Sequence, residues 1–335
     1  MRILYAMNKL VKNTGNYISI FRIAALMQNK GHTISVISFD DLNKPEKFMQ
    51  SFKPDLIHTF HAYNSYNIVK LASTLTIPIV LTVTGTDVNA DLNHHEKREK
   101  TLFCLHNANA VTIFHSAMKE LLPKTIKNVK IIPQSVALEK TEKKCPKKFR
   151  LLLVANIRPV KCNLFLVKSC EELLKKIPEL ELVFIGKILD KEYGKKFLQK
   201  IKGKNWITYY GEIDHQDIAQ YYSCVNIALN TSLSEGGMAN SLLEAMYLKI
   251  PVIASSIAGN RTIIKHNQRG LLFKNKNEFK KSVLKLYNDK KLRKALTDNA
   301  YTFVTTQLTP SKEAQGYIDV YTNVLKARSN KIKKK

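Results

Sequence analysis

A short β-rich run followed by a helix-length spacer recurs along almost the whole chain, and that alternation decides its fold class. RILYAMN (2–8), TISVISF (33–39), DLIHTF (55–60), PIVLTVT (78–84), AVTIF (110–114) and VKIIP (129–133) read as strands. The spacers carry helical periodicity. In YISIFRIAALMQNKG, Tyr17, Ile20, Phe21, Ala24 and Met27 fall on one helical face, and Gly31 sits where a C-cap is expected. Such alternation predicts a mostly parallel, doubly wound α/β sheet.

EKTEKKCPKK (139–148) is charged, polar and broken by Pro146, so it reads as a linker. The pattern then restarts with FRLLLVA (149–155), ELVFIG (181–186), WITYYG (206–211), VNIALN (225–230), PVIAS (251–255) and GLLF (270–273). DHQDIAQYY (214–222) opens with an Asp cap and reads as a helix with a capping box. A last helix begins at Thr309-Pro310 and spaces Ala314, Tyr317, Ile318, Tyr321, Val324 and Leu325 on one face. The expected organisation is an N-terminal Rossmann-like domain over 1–140 and a second over 149–305. A C-terminal helix over 309–328 crosses back to the first, and a basic tail occupies 329–335. Two doubly wound domains facing across a cleft would bind ligands at the carboxyl ends of their strands.

Composition limits the function classes. A length of 335 residues suits two domains. The N-terminal run is too short for a signal peptide, and no window approaches the roughly 18 apolar residues of a membrane span. Five cysteines, at 104, 145, 162, 170 and 224, lack metal-like spacing and read as reduced thiols in a cytoplasmic protein. No Asp-x-Asp or His/Cys cluster calls for a metal. The formal net charge of +27 attracts phosphates of any kind, but the lysines are spread along the chain rather than gathered with exposed aromatics. Such a surface allows peripheral contact with anionic membrane.

The stretch SEGGMANSLLEAM (234–246) carries the strongest chemical signal. It follows the buried strand VNIALN, places Gly236 and Gly237 at a strand-to-helix turn, and sets Glu235 before them and Glu244 about one turn into the helix. Paired glycines let backbone amides approach a ligand, and a helix N-terminus seats a phosphate. Glu244 could accept hydrogen bonds from a ribose diol, as acidic residues do in other nucleotide sites. IRPVK (157–161), after the first strand of the second domain, adds Arg158 and Lys161, cations suited to a departing diphosphate.

With these residues in view, the chain resembles the group 1 (family 4) retaining glycosyltransferases of GT-B fold. GNYISIFRIAALMQNKGHTISVIS, PDLIHTFHAYN, IPIVLTVTGTDVN, NANAVTIFHSAMKELL and VKIIPQSV resemble successive landmarks of their first domain. IRPVK and SLSEGGMANSLLEAMYLKIPVIASSIAGN resemble those of the second, and TGTDVNADL, PQS, IRPVK and AGN are most similar to the glycosyltransferase 1 domain-containing proteins. The resemblance implies transfer of a sugar from a nucleotide-diphosphate-sugar, UDP-sugar by preference, with retention and without a metal or other cofactor. It implies that Glu235, Lys161 and Arg158 are catalytic, and that Glu244, Gly236, Gly237, Asn240 and Gly15 bind the donor.

Three departures stand out. The two glutamates are nine positions apart rather than the family's eight. Ala155-Asn156 and Cys162 stand where the family has Gly-Arg and Gly. A histidine after the fourth strand is replaced by Thr84, which leaves Thr84, Asp87 or His61 for the sugar and acceptor side. The acceptor stays open between a glycan, a lipid-linked sugar and a small molecule, the last as in the selenosugar synthases. A basic nucleic-acid-binding protein is the alternative from another class. A nicotinamide dehydrogenase would need G-x-G-x-x-G after the first strand, where only Gly15 occurs.

Overall fold

The computed structural model describes residues 1–139, 141, 145 and 147–332. Half of the 139–148 linker therefore lies outside the described residues, as do the last three positions of the basic tail. Two compact units are present: Met1–Gln134 with Pro310–Lys335, and Ser135–Thr309.

In the first unit, strands β1 (Arg2–Met7), β2 (Thr33–Ser38), β3 (Leu56–Phe60), β4 (Ile79–Thr82), β5 (Ala110–Ile113) and β6 (Val129–Ile131) form one parallel sheet in the order β2-β1-β3-β4-β5-β6. Helices cover the sheet, so β1, β3, β4 and β5 read as near-continuous apolar runs. The helix Gly15–Asn29 is capped by Thr14, whose Oγ1 accepts from Tyr17 N at 3.3 Å, and it ends before Gly31 at φ +79°. Its buried face is Ser19, Ile20, Ile23, Ala24 and Met27. Phe21, expected inside, is 40% exposed and packs against Tyr17 with the rings tilted by 40°.

The helix Pro310–Ile332 completes this core and runs four residues beyond the expected end at 328. Ala314, Tyr317, Val320, Tyr321 and Val324 pack with Ile3, Tyr5, Ile20, Phe60 and Ile132. Gly316 lets it approach closely, because a Cβ there would lie 3.2 Å from Ile132 Cγ2. Buried Glu313 receives Arg22 in a two-pronged pair, with both N–O distances 3.0 Å. A polar chain threads the core beneath. Tyr5 Oη lies 2.9 Å from Tyr321 Oη, Tyr321 Oη 2.7 Å from His58 Nδ1, His58 Nε2 2.7 Å from Thr82 Oγ1, and Thr82 Oγ1 2.5 Å from Thr112 Oγ1.

In the second unit, β7 (Phe149–Val154), β8 (Leu180–Ile185), β9 (Ile207–Tyr209), β10 (Ile227–Asn230), β11 (Val252–Ser255) and β12 (Leu271–Phe273) form a parallel sheet in the order β12-β11-β10-β7-β8-β9. Strand order reverses between β7 and β10, which pair Ile227 with Leu151 and Ala228 with Leu152. Loops after these two strands emerge side by side at the reversal, the place where open α/β sheets form a ligand crevice at the carboxyl ends of their strands. DHQDIAQYY forms a 3-10 turn (His215–Asp217) and a short helix (Ala219–Tyr222) rather than one capped helix, and Asp214 makes no cap bond to the turn. The expectation of five reduced thiols is also corrected. Cys145 and Cys224 form a disulfide with Cα atoms 5.2 Å apart, while Cys104, Cys162 and Cys170 are free.

Alkylation of the unfolded chain without reductant should therefore label three thiols, rising to five after reduction, as read by intact mass. A second outcome concerns acid. Burial pushes the His58 imidazole down from 6.5 to about 3, so it is neutral at neutral pH. Between those values the unfolded chain takes a proton that the folded one refuses, and stability falls as pH drops below about 6.5. At pH 5 the loss is about 2 kcal/mol. Urea unfolding should show it in the wild type and show a smaller pH 7-to-5 decrement in His58→Asn.

Candidate active site

The crevice between β7 and β10 gathers the residues singled out from sequence in the second unit. After β7 the chain makes a 3-10 turn, Pro159–Lys161, started by Pro159 at its first position. It leaves through Cys162 at φ +49°, ψ +39°, the left-handed region where glycine is at ease. The glycine of the resembled family is thus replaced without loss of the backbone turn. After β10, Thr231–Gly237 returns over the same crevice. Leu233 N donates to Val160 O at 2.9 Å and Thr231 Oγ1 to Lys161 O at 2.6 Å, which sews the two loops together.

Lys161 and Glu235 meet at the centre. Lys161 Nζ lies 2.5 Å from Glu235 Oε1, and their side chains are 15% and 12% exposed. The same oxygen accepts from Ser232 Oγ at 2.6 Å and Asn230 Nδ2 at 3.0 Å. Burial alone would raise the Glu235 carboxyl, but the Lys161 charge and these donors more than offset it and hold it below the ordinary carboxylate range. Asn230 Oδ1 is itself held by Ser232 N and Asn260 Nδ2, each at 3.1 Å. Beneath this frame Gly259 carries the loop closely, since a Cβ there would lie 3.0 Å from Glu235 Cβ and 3.2 Å from Gly237 O.

Unspent donors face the same turn. Arg158 Nε and Asn163 Nδ2 are buried without a hydrogen-bond partner among the described residues, and Asn163 Oδ1 accepts from Arg158 N at 3.3 Å. Leaving a buried donor unmet costs about 1–3 kcal/mol, so an anion seated here recovers that loss. The helix Asn240–Tyr247 starts behind Ala239, which has no side-chain oxygen to cap it. Its first turn points the positive end of its dipole into the loop that carries Gly236 and Gly237.

Glu244 lies in this helix, one turn in and 4% exposed. It joins neither Lys161 nor Arg158. Its Oε1 accepts from His215 Nε2 at 2.8 Å and its Oε2 from Tyr222 Oη at 3.0 Å. Sequence reasoning missed both partners, along with Asn163, Asn230, Ser232 and Asn260. Only Asn230 left a signal, as the polar residue ending an otherwise apolar strand.

The first-unit candidates occupy the carboxyl ends of their own sheet. Gly15 opens the helix Gly15–Asn29, and a Cβ there would meet nothing within 4 Å. Asp87, expected on the sugar side, holds its own loop. It is fully buried, and its two oxygens accept from Ala62 N, Thr84 N and Gly85 N at 2.6–3.2 Å. Thr84 is half-buried beside it. His61 follows β3 at φ +71°, with Nε2 3.6 Å from Asp91 Oδ2 and Nδ1 3.4 Å from Asn64 N. His115, past β5, is another residue that sequence reasoning passed over. It is 5% exposed, neither ring nitrogen has a partner among the described residues, and burial lowers its titration. No cluster of three or more His, Cys, Asp or Glu side chains suited to a metal occurs among the described residues.

Comparison with known proteins bears on the family and the fold. The family model described as "Glycosyl transferases group 1" matches residues 134–303, and that described as "Glycosyl transferase 4-like" matches residues 42–116. Glycosyltransferase 1 domain-containing protein 1 of Xenopus tropicalis is 26% identical over 93% of this chain and 95% of its own. Among solved structures, sucrose-phosphate synthase from Thermosynechococcus elongatus has a TM-score of 0.82 at 17% identity, covering 97% of this chain and 99% of that one. HepE of Anabaena, solved with UDP and glucose, has a TM-score of 0.79 at 16% identity, covering 96% and 99%. These likenesses place the two-sheet α/β architecture in the GT-B class.

The central ion pair is testable apart from any ligand. Lys161→Met strands a largely buried carboxylate and should destabilise the protein by about 2 kcal/mol. Adding Glu235→Gln should recover most of that, giving a coupling that a double-mutant cycle in urea reads directly.

Proposed function

This chain belongs to the group 1 glycosyl transferases, and from that premise we propose that it moves a sugar from a nucleotide-diphosphate-sugar to an acceptor hydroxyl with retention at the anomeric carbon. The observation that carries the reading is the β7–β10 crevice. There Arg158 and Lys161 lie beside a helix N-terminus, with the Arg158 Nε and Asn163 Nδ2 donors unspent. A diphosphate satisfies those donors. Its positive counter-charge comes from the protein, so on this reading the leaving group departs without a resident metal or other cofactor.

Each residue then has a part. Arg158 and Lys161 stabilise the charge that builds on the leaving diphosphate, and amides around Gly236, Gly237 and Asn240 cradle it. Glu244 receives the ribose hydroxyls. Glu235 touches the sugar near its reacting carbon as an electrostatic partner. Three donors share its Oε1, and a carboxylate so engaged is a poor nucleophile, which favours front-face attack over a covalent intermediate. Gly15 binds the donor, and Thr84, Asp87 or His61 serves the sugar and acceptor side.

UDP is the favoured nucleotide, since HepE of Anabaena was solved with UDP-glucose. The acceptor is a glycan, a lipid-linked sugar or a small molecule. Contact with anionic membrane fits a chain of net charge +27 in which Lys168, Lys196 and Lys200 ring an apolar floor of Leu164 and Phe165. No helix among the described residues is long and apolar enough to cross a membrane, and an enzyme working at a membrane surface is the setting we propose. The cytoplasmic side, expected from reduced thiols, loses that support with the Cys145–Cys224 disulfide.

A thermal-shift panel of UDP-, GDP- and ADP-sugars tests the donor. One class should raise the melting temperature by several degrees near saturation. Glu244→Ala should weaken that binding at least tenfold, and Lys161→Ala should lower turnover far more than affinity. A flat panel, or unchanged kinetics in both variants, would remove the assignment.

A further inference from the structure

Glu244 is the group to which the donor reading gives the ribose, yet both of its oxygens are already engaged. The two engagements differ in kind. Tyr222, which serves Oε2, is 1% exposed, and its hydroxyl also lies 3.1 Å from Ser241 O. It stands two residues before Cys224, which the disulfide ties to Cys145. His215, which serves Oε1, has a side chain 34% exposed and sits on a single 3-10 turn, His215–Asp217. One end of the segment is fastened in the core and the other stands at the surface.

With His215 in place the Glu244 side chain is only 6% exposed. A diol needs two acceptor positions on a carboxylate, and here the outward one is covered by an imidazole N–H. Tyr222 is packed and tethered, so His215 is the group able to leave. We propose that His215 is a displaceable cover over Glu244, a positioning residue that holds the Oε1 position and yields it to a ribose hydroxyl of the donor nucleotide.

The exchange is hydrogen bond for hydrogen bond. The His215 N–H passes from carboxylate to water, and a ribose O–H passes from water to carboxylate. No proton is transferred and no covalent bond changes. A nucleotide lacking the hydroxyl leaves His215 on Oε1, so only a ribonucleotide displaces the cover, and the cover narrows the affinity gap that Glu244 alone would set between the two.

The proposal rests on the donor reading above, and calorimetric titration of the full chain with UDP, 2′-deoxy-UDP and 3′-deoxy-UDP separates the two. His215→Ala should bind UDP about three- to tenfold more tightly, since it no longer loses an exposed hydrogen bond to a charged partner on binding. That gain should vanish for the deoxynucleotide lacking the hydroxyl that Oε1 receives. His215→Gln, which keeps an N–H of similar reach, should return UDP affinity to the wild-type value. Unchanged or weaker UDP binding by His215→Ala, or an equal gain for all three nucleotides, would overturn the cover and leave the donor reading standing. Failure of the wild type to bind any of the three would overturn both.

Discussion

The parallel pairing of β10 with β7 is the constraint from which the site follows. Lys161 and Glu235 are 74 residues apart in sequence, and nothing local draws them together. Once Ile227 lies beside Leu151 and Ala228 beside Leu152, the loops leaving both strands have to emerge side by side at the reversal of strand order. The contacts between them are then secondary consequences: Leu233 N on Val160 O, Thr231 Oγ1 on Lys161 O, and finally the ion pair. Asn230 and Asn260 lock the second loop from below. Their role explains why polar side chains are admitted at the end of a strand whose other residues are buried and apolar.

Much of this architecture was legible in the sequence, for a physical reason. Strands of a parallel sheet are covered on both faces, so they read as apolar runs, and eleven of the twelve described strands lie within a run picked out that way, the exception being β8, which starts one residue earlier at Leu180. Positions at the carboxyl ends followed from the alternation, which is why Arg158, Lys161 and Glu235 could be set at the same edge of the second sheet, while the β7–β10 pairing that makes their loops neighbours came from the structure. What lay beyond reach was anything decided by packing between distant elements. Phe21 and Ile23 both fit a helical stripe, and only the surface that the helix meets chooses Ile23. DHQDIAQYY has the signs of a capped helix, but Tyr222 must turn inward to Glu244, and the segment breaks into a 3-10 turn and one short helix. The Cys145–Cys224 link spans 79 residues and no spacing rule foretells it.

The first unit is built differently, around polar groups rather than in spite of them. The chain of hydroxyls and imidazole from Tyr5 through Tyr321 and His58 to Thr82 and Thr112 ties the last helix to β1, β3, β4 and β5 at once. A hydrophobic helix face can slide along a sheet by a turn with little loss, whereas this chain is satisfied in one register only. Neutral His58 fits the scheme because it can donate through one nitrogen while accepting through the other. Arg22 and Glu313 repeat the device at the helix start, where a buried carboxylate would be costly without its two-pronged partner.

Net charge sets the problem that the second unit resolves. A chain carrying +27 attracts every anion in its surroundings, and a crevice offering bare cations would be occupied by the most abundant of them. Here the principal ammonium, on Lys161, is paired with Glu235. A simple anion must compete with that carboxylate for it. On the proposed donor reading, a ligand that also brings groups for the Arg158 and Asn163 donors and for Glu244 recovers more. The two carboxylates in so basic a protein would then be the discriminating element of the site, lowering its affinity for phosphate as such in favour of a larger molecule that carries phosphate and hydroxyls.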